Sequence, residues 1–396
     1  MSPDTADRLT PLEVASGLVF GVEATPPDRP PDPRLDPVST LEVAILRALE
    51  RPPCLVSFSG GRDSSIVLAL ATRLARREGL ALPVPATNRF KGASLAEEDE
   101  WQELVVQHLD LPEWSRHEAG HELDCVGPVA LEVLRRHGLL WPFNAHFHVP
   151  LLRAAAGGSL LTGVGGDEIL GESRWARVWT VATLRARPQP RDALRLALLL
   201  APRALRARVL QARLDVRFPW LRQAAERDVL AAWAREAAGE PGRWSRRFAW
   251  WLSLRYLRVA LRSLELLAAD DDVLLVHPLA ERELAASLAG LPRAERFATR
   301  HQANRLVAGD LLPAGVLRRV SKASFDEVFF NRHSRRFVAE WDGEGVNPML
   351  VDSKALRRMW SSGAPDPRSF TLLQSLKLGR EPSAADRGEQ QVRRLG

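Results

Sequence analysis

Two glycines followed by an aspartate and two serines, in Ser59-Gly60-Gly61-Arg62-Asp63-Ser64-Ser65, combine the groups that hold a phosphorylated ligand. Adjacent glycines take positive φ and let the backbone approach a ligand closely. The hydroxyls of Ser59, Ser64 and Ser65 add donors beside the free amides of a helix start, which together make an anion site. Asp63 would repel a phosphate directly, but its hard oxygens suit a magnesium ion that travels with one. About a hundred residues on, Gly163-Val164-Gly165-Gly166-Asp167-Glu168 offers glycines and an acid again. Two such loops could clamp one magnesium pyrophosphate from opposite sides.

Each loop needs a strand behind it, and each has one. Cys54-Leu55-Val56-Ser57-Phe58 and Ser159-Leu160-Leu161-Thr162 are short apolar runs of the kind buried in a parallel sheet. After the first loop, Ile66, Leu70 and Leu74 recur at helical spacing up to a stop at Gly79. Further strands are expected over 82–87 and 114–117, and helices over 97–109 and 129–137, the last stopped by Gly138. This alternation predicts an α/β fold, a doubly wound parallel sheet over residues 40–175, whose ligands bind beyond the carboxyl ends of the strands. From about 176 to 310 the pattern reads as almost wholly helical, with Trp233, Trp244, Trp250 and Trp251 as packing residues. The proline-rich stretch 23–37 reads as a non-helical arm, preceded by a short strand-like remnant. The organisation expected is therefore an N-terminal segment and arm (1–39), one large domain (40–335, with 176–335 its mostly helical part) and a C-terminal extension (336–396) whose last residues fray.

The first loop resembles the PP-loop of the ATP pyrophosphatase superfamily and differs from a Walker A loop, whose glycine-lysine-serine/threonine ending is found nowhere in the chain. Paired with the second loop, it resembles the synthetase domain of asparagine synthetases and their relatives, the β-lactam synthetases and lasso-peptide cyclases. A third segment, Leu312-Pro313-Ala314-Gly315-Val316-Leu317-Arg318-Arg319-Val320-Ser321-Lys322-Ala323-Ser324-Phe325, is similar to the family's leucine-proline, arginine, lysine, phenylalanine segment. Lys322 matches the lysine that faces the reacting phosphate there, in a chain that otherwise holds only Lys91, Lys354 and Lys377 among its lysines. His277-Pro278-Leu279-Ala280-Glu281 looks like a degraded form of the family's proline-phenylalanine-leucine-aspartate box, so the resemblance spans roughly residues 40–330.

The resemblance implies ATP and Mg2+ as cofactors and an AMP- and pyrophosphate-forming amide ligase that adenylates a carboxylate, aspartate in the family. Ser59, Gly60, Gly61, Ser64, Ser65, Gly163, Gly165 and Gly166 would cradle the phosphates, Asp63 and Asp167 would hold magnesium, and Lys322 would neutralise charge in the transition state. Val164 stands where asparagine synthetases carry glutamate and β-lactam synthetases tyrosine, so the step after adenylation is expected to differ. Glu168, His146 and His148 are candidates for the substrate pocket. The family's amino-terminal glutaminase domain is not seen before the first loop, so nitrogen is expected from free ammonia, from a partner protein, or from an amine in a small-molecule or peptide substrate. Three rivals remain open: a ligase or cyclase on a peptide or specialised metabolite, an RNA-modifying PP-loop enzyme, and a non-catalytic nucleotide-binding subunit.

Composition bounds these readings. With 396 residues and 45% apolar content the chain can bury a large core. No apolar run approaches the ~18 residues of a membrane span, and no signal peptide is read at the start, so a cytoplasmic home is expected. Cys54 and Cys125 form no metal or disulfide spacing and read as reduced, structural thiols. Net charge is +6, with an arginine-rich stretch over 185–217 that could bind RNA, a membrane surface or an acidic peptide but reads first as a solvated face of helices whose leucines point to the core; no aromatic platform is interleaved, so neither a nucleic-acid nor a membrane partner is expected. His117-Glu118-Ala119-Gly120-His121 matches the two-histidine zinc pattern in letters, but it follows an expected strand and carries a helix-breaking glycine, so no zinc site is expected.

Overall fold

At the centre of the molecule lies β1 (Cys54–Ser57), flanked in one direction by β2 (Val84–Phe90) and β3 (Ser115–Ala119) and in the other by β4 (Ser159–Leu161) and β5 (Leu274–Val276). All pairs are parallel and the order is β3-β2-β1-β4-β5, with Leu55 opposite both Val84 and Leu160. The structure, a computed structural model, describes residues 8–23, 36–90, 99–319 and 325–380.

Strand pleating sorts side chains to two faces. Cys54, Val56, Phe58 and Leu161 point to one face and Leu55 and Leu160 to the other. The first face is covered by α2 (Pro37–Leu49) and α3 (Arg62–Glu78), with the helices Arg282–Gly290 and Arg300–Ala308 beyond them. The second is covered by α5 (Pro128–His137) and the helices Val149–Ala154 and Arg255–Asp270; α4 (Asp99–His108) seats Val105 and Val106 on the first. A sheet buried on both sides by helices is the doubly wound arrangement that the alternating pattern predicted.

Local chemistry sets the helix ends. Asp36 caps α2, its Oδ1 accepting from the amides of Val38 at 2.8 Å and Ser39 at 3.0 Å, and Gly79 closes α3 at φ 69°. Pro37 therefore starts a helix rather than ending an arm, because a proline at the first helical position lacks only an amide that would have no partner; residues 24–35 of the arm lie outside the described residues.

Three other expectations are corrected. β5 interrupts the region read as almost wholly helical; at three residues it is too short to carry a period of its own, and its partner β4 defines it. The N-terminal remnant is α1 (Pro11–Ser16), held by a Thr10–Glu13 capping box, with Val22 alone making an isolated bridge to Leu254. Finally, Leu194, Leu196, Leu200 and Leu205 of the arginine-rich stretch are 45–76% exposed. Among the described residues only a small cluster around Leu210, Ala234 and Ala238, with Leu198 against it, receives these helices, so these four leucines find no core there.

Helix α1 packs with Trp220 and with the helices Arg332–Glu340, Ser353–Trp360 and Phe370–Gly379 in a second core rich in tryptophan. Asp124 fastens this core to the sheet layer. Fully buried, it accepts from the amides of Val126, Asn331 and Ser334 at 2.8–3.0 Å. Asp124→Ala would leave four donors, these amides and the Ser334 hydroxyl, without that acceptor and should lower unfolding free energy by about 2–4 kcal/mol, read from a urea melt; an unchanged midpoint would show that the clasp contributes little.

Glu236 clasps the N-terminal segment by accepting from the Gly21 amide at 2.8 Å. Burial pushes its carboxyl up from 4.5 to about 7, only partly offset by that bond. The folded protein therefore holds this proton more tightly than the unfolded chain. Stability should fall as pH rises from about 4.5 through 7, and Glu236→Gln should remove that component from a pH series of melting temperatures.

Candidate active site

Chain order reverses between β1 and β4: from β1 the sheet grows outward through β2 and β3, then restarts on the other side. The carboxyl ends of these neighbours are where open α/β sheets bind ligands. The two glycine loops emerge there, and a cavity of about 390 Å³ lies between them, lined by Ser59, Gly61, Arg62, Asp63 and Ser64 from the first and by Thr162, Gly163, Val164 and Asp167 from the second. His148, Arg319 and Phe325 complete the wall with Ser57.

In the first loop Gly60 takes φ 77°, so the chain turns sharply out of β1. Its carbonyl accepts from Arg319 Nη1 at 3.0 Å. Ser59 Oγ lies 3.2 Å from both Ser64 Oγ and the Gly61 amide, which it accepts. Gly61 caps α3 without a side chain, so the first turn of the helix, Arg62 to Ser64, presents its amide end to the cavity. Ser65 is fully buried, donates to the Gly61 carbonyl at 2.7 Å and holds the turn from behind rather than lining the cavity.

The second loop fits against the first closely enough to explain its glycines. A Cβ on Gly163 would lie 2.8 Å from the amide nitrogen of Ser64, and one on Gly166 would lie 2.4 Å from the carboxyl carbon of Asp63. Gly165, at φ 91°, has Ala280 where its own Cβ would point. Thr162 Oγ1 is 2.6 Å from His277 Nδ1 and accepts from the Val164 amide at 3.2 Å, which fixes the start of the loop.

Arg300, at the start of its helix, joins the two loops. It is 7% exposed, donates to Asp63 Oδ1 and to the Gly166 carbonyl, lies 3.8 Å from Asp167 Oδ1, and is oriented by Asn304 Oδ1 at 3.1 Å. Burial pushes the Asp63 carboxyl up, Arg300 opposes that, and the charge of Asp167 adds to it. Asp167 itself is exposed toward the cavity mouth.

Residues expected at the site are thus divided. Ser59, Gly61, Asp63, Ser64, Gly163, Val164, Asp167 and His148 share one cavity, while Gly60, Gly165 and Gly166 shape its backbone. Glu168 is turned toward the one tyrosine of the chain, accepting from Tyr256 Oη at 2.9 Å, with burial pushing its carboxyl up. His146 is 2% exposed and faces the carbonyls of Leu123 and Phe143 at 3.0 and 3.2 Å, its pKa pushed down to about 4 by burial, so it is part of the packing and not of the cavity wall. Lys322 lies outside the described residues. His117 is on β3 and His121 in the turn after it; among the described residues no three histidine, cysteine, aspartate or glutamate side chains converge as a metal site. Both cysteines are buried and free.

The sequence reading missed Arg300 and Arg319. A signal for Arg300 was present: arginine and asparagine four apart on a helix whose other inward positions, Ala303 and Val307, are apolar. Arg319 belonged to a matched segment, but only the fold shows that it bonds Gly60 and stacks 5.0 Å from the Trp101 ring.

The donor set suits a magnesium-bound polyphosphate: a carboxylate from each loop lining one cavity, hydroxyls and helix-start amides beside them, and glycines where an added Cβ would push the loops apart. A search of curated proteins gives no match to the chain. A scan of protein families matches asparagine synthase over residues 39–378, beyond the span of the three motifs and into the helices of the second core. By that match over most of its length, and with its paired glycine loops facing one cavity, the chain belongs to the asparagine synthase family.

Proposed function

We propose that this protein is an ATP-dependent ligase that activates a carboxylate as its adenylate, releases pyrophosphate, and passes the acyl group to ammonia or an amine with loss of AMP. The observation that carries this reading is the meeting of Asp63 and Asp167, from loops about a hundred residues apart, on one cavity at the β1/β4 junction. In this reading the amides of Arg62, Asp63 and Ser64 and the hydroxyls of Ser59 and Ser64 bind the departing phosphates. Asp63 and Asp167 would hold magnesium, which when bound would neutralise phosphate charge. Arg319, with Lys322 if the family's pattern holds, would supply fixed positive charge near the reacting phosphorus. Nothing covalent is asked of the protein: positioning and electrostatics suffice.

Aspartate is the carboxylate the family suggests. A ligase acting on a peptide or specialised metabolite is the second reading, favoured by Val164, whose side chain lines the cavity and can neither take nor give a proton. The experiment is mass-spectrometric detection of AMP, pyrophosphate and asparagine from protein, ATP, magnesium, aspartate and ammonium. Asparagine with equimolar AMP is expected if aspartate is the substrate; AMP formation only when another carboxylate is supplied would favour the second reading. ATP binding with no pyrophosphate release on any carboxylate would overturn both.

A further inference from the structure

A second cavity, of about 400 Å³, opens between the helix Ala176–Ala182, the N-terminal end of the helix Trp244–Leu252 and residues 293–298, and shares no lining residue with the first. Four arginines line it, Arg185, Arg243, Arg293 and Arg296, and no aspartate or glutamate does. Arg185 is engaged: its guanidinium donates to the carbonyls of Arg293, Ala294 and Arg296 at 2.6–2.7 Å and so holds that segment in shape. Arg296 gives its Nε to the Leu291 carbonyl at 3.1 Å and lies 5.7 Å from the Trp244 ring. Arg243 and Arg293 form no ion pair among the described residues, and both are exposed.

Several arginines elsewhere in the chain pair with carboxylates. Arg73 and Arg77 share Glu42, and Arg177 and Arg195 share Asp192. Around the cavity, like charges converge instead, and burial together with the neighbouring Arg293 charge pushes the Arg296 pKa down. A further arginine, Arg247, sits 1% exposed behind the same rings, 5.5–5.9 Å from the centres of Trp179, Trp244 and Phe297, but Glu240 and Glu172 offset its charge, so the open positive charge is that of the lining arginines. Such a concentration of positive charge in a concave site raises the local concentration of anions. The cavity wall between the arginines is apolar, formed by Trp179, Trp244 and Phe297; Trp244 is packed edge-on to both others at 5.6 and 4.9 Å, and of the three only Trp179 is partly exposed.

We propose that this cavity is a second ligand site, which takes a small anion carried on a flat ring: one phosphate or carboxylate on an aryl or nucleobase-sized body. Arg243, Arg293 and Arg296, whose fork-like donors suit phosphate and carboxylate geometry, bind the anion, and Trp179 offers its partly exposed ring to the flat body. The proposal is independent of the activity assigned to the first cavity.

The test is calorimetric titration of the full-length protein with 1-naphthyl phosphate, beside inorganic phosphate at the same ionic strength. Saturable 1:1 binding is expected, at least about tenfold tighter than inorganic phosphate. Arg243→Ala/Arg293→Ala should weaken it at least about tenfold, and Arg293→Gln alone, on an exposed side chain, should weaken it in the same direction. Ser59→Ala/Ser64→Ala, in the first cavity, should leave it unchanged. Absence of binding, equal affinity for inorganic phosphate, or loss in the serine variant with retention in the arginine variants would overturn the proposal.

Discussion

Asp63→Ala is expected to lower carboxylate-dependent ATP–pyrophosphate exchange by about 10²–10³-fold, the size of effect seen when a fixed charge-stabilising group is removed from an active site. The carboxylate has two jobs here. It faces the cavity as a candidate magnesium ligand, and it receives the Arg300 guanidinium that also binds the Gly166 carbonyl. Removing it takes away the metal ligand and strands a buried arginine. Breaking a buried pair from one side costs about 3–5 kcal/mol when both partners are fully enclosed. Asp63 is 21% exposed, so the lower end of that range applies. Asp63→Asn separates the two jobs. The amide oxygen can still accept from Arg300 although the counter-charge is gone, so the melting temperature should fall less than in the alanine variant, while exchange and magnesium-dependent ATP binding fall as far. Unchanged ATP binding and exchange in Asp63→Asn would overturn the assignment of the carboxylate to the metal.

The second large effect concerns the glycines by which the loops touch. At Gly163 an added Cβ meets the Ser64 amide nitrogen at 2.8 Å, a backbone atom in the first turn of α3 that cannot rotate away. Gly163→Ala must therefore push the second loop off the first, separating Asp167 from Asp63. Exchange should fall by about 10²-fold, as sub-ångström misplacement of reacting groups commonly costs, while overpacking lowers stability by about 1–3 kcal/mol. Gly166→Ala should act likewise, because the Asp63 carboxyl it meets is held by Arg300. Gly290, the last residue of its helix, has nothing within 4 Å of an added Cβ. Gly290→Ala is the control, expected to leave exchange unchanged and to alter stability by no more than about 1 kcal/mol. Full activity in Gly163→Ala would show that the close contact of the loops is not required.

The elements that carry a strong period or a strong punctuation mark were legible in advance. β1 and β4 are continuous apolar runs, α3 has an apolar repeat with a glycine stop, and α5 ends at Gly138 as its sequence suggests. Segments whose structure depends on a distant partner were not. β5 is three residues long and is a strand because β4 pairs with it, and the exposed leucines of the arginine-rich stretch look core-facing until the surrounding elements leave no core for them. The same division runs through the site. Ser65 and His146 have the side chains a site would use, but burial and local bonds turn one to the Gly61 carbonyl and the other to the carbonyls of Leu123 and Phe143.

Sequence alone determined each glycine loop, since a strand end, glycines and a helix start are neighbours along the chain and their conformations are local. It also determined the acid that each loop carries. Only the tertiary structure decided that these loops face one another, because the insertion of β4 beside β1, rather than beyond β3, is a choice among sheet orders that no local residue encodes. That choice brings Asp63 within reach of Arg300 and Asp167, residues 237 and 104 positions away, and makes one cavity of two separate turns.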